Sequence, residues 1–152
     1  MTKTNDYGSP AIGCHIDQGN YNPTELSIAI IELAEGLGFP IDAELRKAME
    51  SIDEELCEAD IIDAGAQEAE DWLNDQETRS HLSWHSNGEA GAFGLWPYVE
   101  GAREDCEFVS SKEQEYPADD YRGEWLHVND HGNATLYVRS ENGQDVEVWS
   151  VV

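Results

Sequence analysis

Carboxylates are the side chains with chemistry to offer in this chain. Its 152 residues carry 33 Asp and Glu against eight Lys and Arg, a formal net charge of −25. Residues 41–77 alone hold 14 acidic and two basic side chains, a net of −12. Within that stretch Glu50, Glu54 and Glu58 recur every four residues, flanked by Asp53, Glu55, Asp60 and Asp63. Four helical residues rise about 6 Å, and two successive phosphates of one DNA strand rise about 6.8 Å. A helical ladder of carboxylates therefore approximates the spacing of negative charge on a nucleic acid. Like-charge pairs four apart weaken a helix, which points to a use beyond folding. A second acidic group, Glu113, Glu115, Asp119 and Asp120, lies in residues 111–123.

Other chemistries find little support. The chain has no phosphate-cradling loop ending in Gly-Lys-Ser/Thr, no Gly-x-Ser-x-Gly elbow and no His-Glu-x-x-His. Carboxylate pairs are too abundant here for any one of them to mark a glycosidase. The reading is a non-enzymatic protein without a cofactor. His81 and His85 stand four apart, as do His127 and His131, and Cys14 adjoins His15. That spacing chelates a metal on a helix, but these pairs fall in a β-like run and a turn. They read as surface or turn histidines, with no metal expected. Residues 129–133 lack the ligand spacing of a calcium loop. Three widely spaced cysteines, Cys14, Cys57 and Cys106, argue against a disulfide framework.

The charge also narrows the partners. Phosphates need cationic counterparts, so direct binding of DNA or RNA is disfavoured, as is an anionic membrane surface. A cationic protein partner, or simple solubility, is favoured. No apolar run reaches membrane-spanning length, and the first residues lack the apolar stretch of a signal peptide, so a cytoplasmic location is expected.

The elements that would position these groups follow from periodicity. Hydrophobic residues make up 39% of the chain, with five Trp and six Tyr, enough for the core of one domain over residues 1–152. Residues 1–21 read as irregular, with at most one short strand. Helical signals fill 22–78: Asn22, Pro23 and Glu25 form a start signal, and Gly38 and Pro40 a stop. Asp42 caps a second helix through Leu45, Met49, Ile52, Leu56 and Ala59, with a break expected beside Gly65. From residue 79 the pattern becomes antiparallel β, with strands near 81–85, 93–99, 106–110, 124–129, 133–140 and 144–151, and an acidic, flexible loop at 111–123. In the last hairpin a three-residue loop, Glu141-Asn142-Gly143, sets Val138 opposite Val146, Leu136 opposite Val148 and Arg139 opposite Asp145. Trp125, Tyr137 and Trp149 then share the face opposite Leu126, Leu136 and Val138. The expected fold is α+β: two or three N-terminal helices packed on one antiparallel sheet of four to six strands.

The run Val128-Asn129-Asp130-His131-Gly132-Asn133-Ala134-Thr135-Leu136-Tyr137-Val138, followed by Val146-Glu147-Val148-Trp149-Ser150, resembles the C-terminal end of small accessory proteins of phages and mobile elements. The resemblance implies expression inside a bacterial host and an anti-defence role of the anti-restriction or anti-CRISPR kind. It carries no functional residue over. Together these readings give an acidic inhibitor or decoy for the cationic surface of a nucleic-acid-binding defence protein. Its expected contacts are Glu50, Asp53, Glu54, Glu58, Asp60 and Asp63, then Glu113, Glu115, Asp119 and Asp120. The competing reading is a structural or regulatory interaction protein that docks through aromatics, its acidity serving solubility or a high-salt cytoplasm. A homodimer stays open in either case.

Overall fold

The computed structural model describes residues 10–17, 22–51, 58–87, 92–112 and 114–152, with Asn87 described in its backbone only. The chain divides into two compact units, residues 1–78 with 83–96, and residues 79–82 with 97–152. The fold is α+β, but its strands form two sheets instead of one.

In the first unit, β1 (Gly13–Ile16) precedes α1 (Pro23–Gly36), α2 (Ala43–Glu50) and α3 (Ala59–Gln76), followed by β2 (Leu82–Asn87) and β3 (Ala92–Pro97). The start of α1 is a complete capping box. The Asn22 side chain accepts from the Glu25 N–H at 2.9 Å, and the Glu25 carboxylate accepts from the Asn22 N–H at 3.2 Å. Asp42 caps α2 by accepting from the Leu45 N–H. Ile30, Ile31, Leu33 and Ala34 of α1, with Leu45, Ala48 and Met49 of α2, are buried, and both helices pack on α3. An ion pair between Arg46 and Glu35 joins α2 to α1.

The helix break falls elsewhere than the sequence suggests. α2 closes at Ser51, whose N–H bonds the Lys47 and Ala48 carbonyls while its hydroxyl bonds Lys47 again. The next described helix, α3, starts at Ala59. Gly65, expected at the break, lies inside α3 and is buried. A β-carbon there would come within 2.7 Å of Leu45 Cδ1, so this glycine serves close packing of α3 on α2.

The three-stranded sheet runs β1-β3-β2. Its edge strand β2 is fastened to α3 by Asn74. That side chain accepts from the Trp84 N–H at 2.7 Å and donates to the Trp84 carbonyl at 3.0 Å. Trp84 is 1% exposed and stacks on Phe93. The expected Asn87-Gly88 turn reaches residues outside those described.

The second unit contains α4 (Val99–Asp105), β4 (Phe108–Ser110), β5 (Gly123–Val128), β6 (Ala134–Arg139) and β7 (Asp145–Val151), in a sheet ordered β4-β5-β6-β7. Two features depart from expectation. β4 pairs parallel to β5, and α4 is a fourth helix where no helix was expected. α4 has only seven residues with Gly101 among them, too short a span to establish a helical period. Gly101 is required because a β-carbon would sit 1.9 Å from the Ser80 carbonyl oxygen. The last hairpin has the expected three-residue loop, with Gly143 left-handed at φ 82° and Arg139 opposite Asp145. Farther along, the register shifts: Leu136 pairs with Trp149, and Tyr137 pairs with Glu147. Val148 is thus the extra residue of a bulge. The bulge turns Trp149 onto the Leu126 and Leu136 face, away from Trp125 and Tyr137.

Both sheet faces are occupied. Leu126, Ala134, Leu136 and Trp149 are buried on one, Trp125 and Arg139 on the other. Trp125 stacks on Tyr137 at 4.6 Å and meets Phe108 and Tyr116 edge-on.

Candidate interaction surface

α3 carries the densest uninterrupted acidity. It contains Asp60, Asp63, Glu68, Glu70, Asp71 and Asp75, and no Lys or Arg occurs from residue 58 to residue 78. Its buried side is Ile62, Gly65, Ala66, Ala69 and Leu73. At about 100° per residue, Asp60, Asp63, Glu68, Asp71 and Asp75 fall within about 140° of arc, centred opposite that buried side. All five are exposed. From Asp60 to Asp75 the helix rises roughly 22 Å, and successive carboxylates are about 4.5 to 7.5 Å apart along its axis. Two of them are oriented by neutral partners: the Ser27 hydroxyl donates to Asp63, and the Gln67 amide donates to Asp71. Glu70 is half-buried, and its carboxyl is raised above the usual range by burial first and by neighbouring Asp71 second.

Glu50 and Glu58, the two ends of the expected ladder, belong to different helices. Glu50 is exposed at the end of α2, whereas Glu58 is exposed at the N-cap of α3 and its side chain makes no capping bond. Asp53 and Glu54 lie outside the described residues. Glu58 and Asp60 stand at the positive end of the α3 dipole, where a carboxylate also stabilises the helix. Of the six expected helix contacts, the structure gathers Glu58, Asp60 and Asp63 near the start of α3. Glu68, Asp71 and Asp75 complete the stripe and were not singled out from sequence. A wheel drawn from Ala59, with the break before it, would have found them.

The second acidic group belongs to the other unit. Glu115, Asp119 and Asp120 are exposed, and Glu113 lies outside the described residues. The loop that holds them is anchored, contrary to the expectation of flexibility. Arg139 reaches the carbonyls of Pro117 and Ala118, at 3.1 and 2.8 Å. Arg122 donates to the carbonyls of Asp119, Tyr121 and Glu141. Arg139 also forms a bidentate pair with Asp145, which accepts in addition from the Trp125 indole at 3.0 Å. The Arg139 hydrogen bond holds the Asp145 carboxyl below its ordinary range, burial opposes this, and the Trp125 bond adds to it.

The aromatic docking face is not presented as the sequence suggested. Trp125 and Trp149 are 2% and 5% exposed, so both serve the core. His81 is likewise buried and not a surface histidine. Its Nδ1 accepts from the Trp149 indole at 3.0 Å, which fixes the proton on Nε2, 3.3 Å from Glu124. His127 contacts the Ser110 hydroxyl, and His131 sits exposed in a turn. Among the described residues no group of three or more His, Cys, Asp or Glu converges as a metal site. Cys14 and Cys106 are free thiols. Burial, then Glu124 and Asp105, push the Cys106 thiol up to about 11, which leaves it a poor nucleophile. No helix among the described residues is long and apolar enough to cross a membrane. Comparison with protein-family models, with curated proteins and with solved structures found no match.

Proposed function

We propose that this protein is an acidic decoy, a non-enzymatic inhibitor that occupies the cationic groove in which a partner protein holds nucleic acid. The observation that supports the reading is the α3 stripe: five exposed carboxylates over about 22 Å of one helix face, with no cation in the helix. The pairs Asp60 with Asp63, Glu68 with Asp71 and Asp71 with Asp75 each rise along the axis by less than the Debye length of about 8 Å at physiological salt. Their fields therefore add, as those of phosphates along a strand do. A groove that binds phosphate through Lys and Arg meets a similar line of charge on α3, held on a rigid scaffold that costs little ordering entropy on binding. The likeness of residues 128–138 and 146–150 to phage and mobile-element proteins directs the proposal toward a defence nuclease or its nucleic-acid-binding subunit in a bacterial host. Trp125 and Trp149, the indoles named for docking in the alternative reading, are buried, whereas Tyr98 and Tyr116 are exposed.

The test is capture of partners from bacterial lysate on immobilised protein, with and without excess duplex DNA or guide RNA. The decoy reading predicts that the captured proteins bind nucleic acid and that the added nucleic acid releases them. Capture of partners that nucleic acid leaves in place would contradict it. A high-salt origin of the acidity is tested separately by unfolding at low and high KCl. A decoy unfolds cooperatively at both, whereas a halophilic protein does so only when its self-repulsion is screened.

A further inference from the structure

Beyond the acidic stripe, the first unit has an open cleft of about 170 Å³ beside the C-terminal turn of α3. Leu37 and Leu73 give it an apolar floor, Trp72 and Trp84 its aromatic walls, and Gln76 and Glu77 its polar lining. The two indoles differ in what they offer. Trp84 is 1% exposed, with His15 at 4.9 Å and Phe93 at 6.0 Å. Trp72 is only half-buried. Phe39 meets it edge-on at 5.8 Å, and the Trp72 ring also passes beside Gly38. Trp72 is thus a braced ring at the margin of a cleft.

Among the described residues lining the cleft, Glu77 carries the formal charge. α3 ends here, and its last carbonyls form the negative pole of the helix dipole. The last turn contains no basic residue to offset that pole, and the residue that caps it is Glu77. An indole face attracts cations by its quadrupole, more strongly than other aromatic side chains do. Aromatic wall, helix C-terminus and carboxylate all favour a positive group, while the apolar floor favours one with a hydrocarbon stem. A planar guanidinium on an aliphatic chain meets these demands better than a compact, strongly hydrated ammonium.

We propose that this cleft receives an arginine side chain of the cationic partner, its guanidinium stacked on Trp72 beside Glu77 and its methylenes on Leu37 and Leu73. The inference rests on the decoy reading for the identity of the partner, and adds to it a pocket that selects one residue type. Charge along α3 attracts any cationic groove, whereas the cleft distinguishes an arginine suitably placed at its edge.

The experiment follows the indole N–H resonances of isotopically labelled protein during titration with N-acetyl-arginine amide. N-acetyl-citrulline amide, the neutral isostere, is titrated in parallel. The Trp72 resonance should shift and saturate with arginine, at least about tenfold more tightly than with citrulline. Glu77→Gln should weaken arginine binding by roughly threefold or more, and Trp72→Leu should abolish it. Should Trp72→Leu unfold the protein, the citrulline comparison and Glu77→Gln still decide. Equal binding of the two amides, no saturable shift at Trp72, or no effect of Glu77→Gln would overturn the proposal. A variant with only Asp60→Asn and Asp63→Asn, about 20 Å along α3 from Glu77, should bind N-acetyl-arginine amide as the wild type does. Failure of the decoy reading therefore leaves this titration intact, and failure of the cleft leaves partner capture intact.

Discussion

Asn74 joins the acidic helix to the sheet, and removing its side chain is the most informative perturbation of the fold. Asn74→Ala deletes two hydrogen bonds at once and leaves the Trp84 N–H and carbonyl without them, on a residue that is 1% exposed. A buried backbone group that loses its partner costs about 1–3 kcal/mol. Both groups together cost about 2–4 kcal/mol, allowing for some water entry beside half-buried Asn74. Against a total stability on the order of 5–15 kcal/mol, that is a large loss. Asn74→Asp separates the two bonds. Its carboxylate still accepts from the Trp84 N–H, yet it has no donor for the carbonyl, so it should cost roughly half as much. Urea unfolding followed by tryptophan fluorescence gives both values. A loss below about 1 kcal/mol for Asn74→Ala would mean that Asn74 does not hold β2 to α3, because two desolvated groups cannot go unpaired so cheaply.

Two further predictions concern pH and have opposite signs. Asp145→Asn should destabilise at neutral pH, because the depressed carboxyl contributes stability above its unfolded pKa. That contribution is lost as pH falls through the folded pKa, so the gap between variant and wild type should close on acidification. A gap independent of pH in thermal melts would count against the Arg139–Asp145 pair. Glu70→Gln should stabilise at neutral pH, since a carboxyl raised by burial and by Asp71 disfavours folding while ionised. Its advantage should fade as pH falls into the carboxylate range and the wild-type group protonates, and melting temperatures at neutral and acid pH would show it.

Local signals in the sequence were legible where the chemistry is local. The Asn22, Pro23 and Glu25 cap, the Asp42 cap and the Gly143 hairpin loop all appear where their residue types place them. What the sequence hid depends on distant neighbours. Nothing within residues 106–110 tells a strand that it will pair parallel to residues 125–127. The Val148 bulge leaves no local mark, yet it reverses the face of Trp149 and so converts a candidate docking residue into core. Gly65 reads as a breaker until Leu45 is known to press against it. The same misplaced break hid the α3 stripe. With the break moved ahead of Ala59, the carboxylates regroup from a Glu50–Glu54–Glu58 ladder into the α3 stripe. Glu58, Asp60 and Asp63 were visible in the original pattern, and Glu68, Asp71 and Asp75 required the corrected helix.

Neutralising the α3 face without changing its shape shows whether its carboxylates stand in for phosphates. The variant carries Asp60→Asn, Asp63→Asn, Glu68→Gln, Asp71→Asn and Asp75→Asn, which preserve the acceptors for Ser27 and Gln67. Its affinity for the captured partner is measured in competition with duplex DNA, beside a control bearing Glu115→Gln, Asp119→Asn and Asp120→Asn. At about twofold per exposed charge contact, five losses weaken binding by roughly thirtyfold. That loss is expected for the α3 variant, with a steeply reduced salt dependence and near wild-type competition by the control. Full competition by a folded α3 variant would contradict it and leave the stripe as solvated surface.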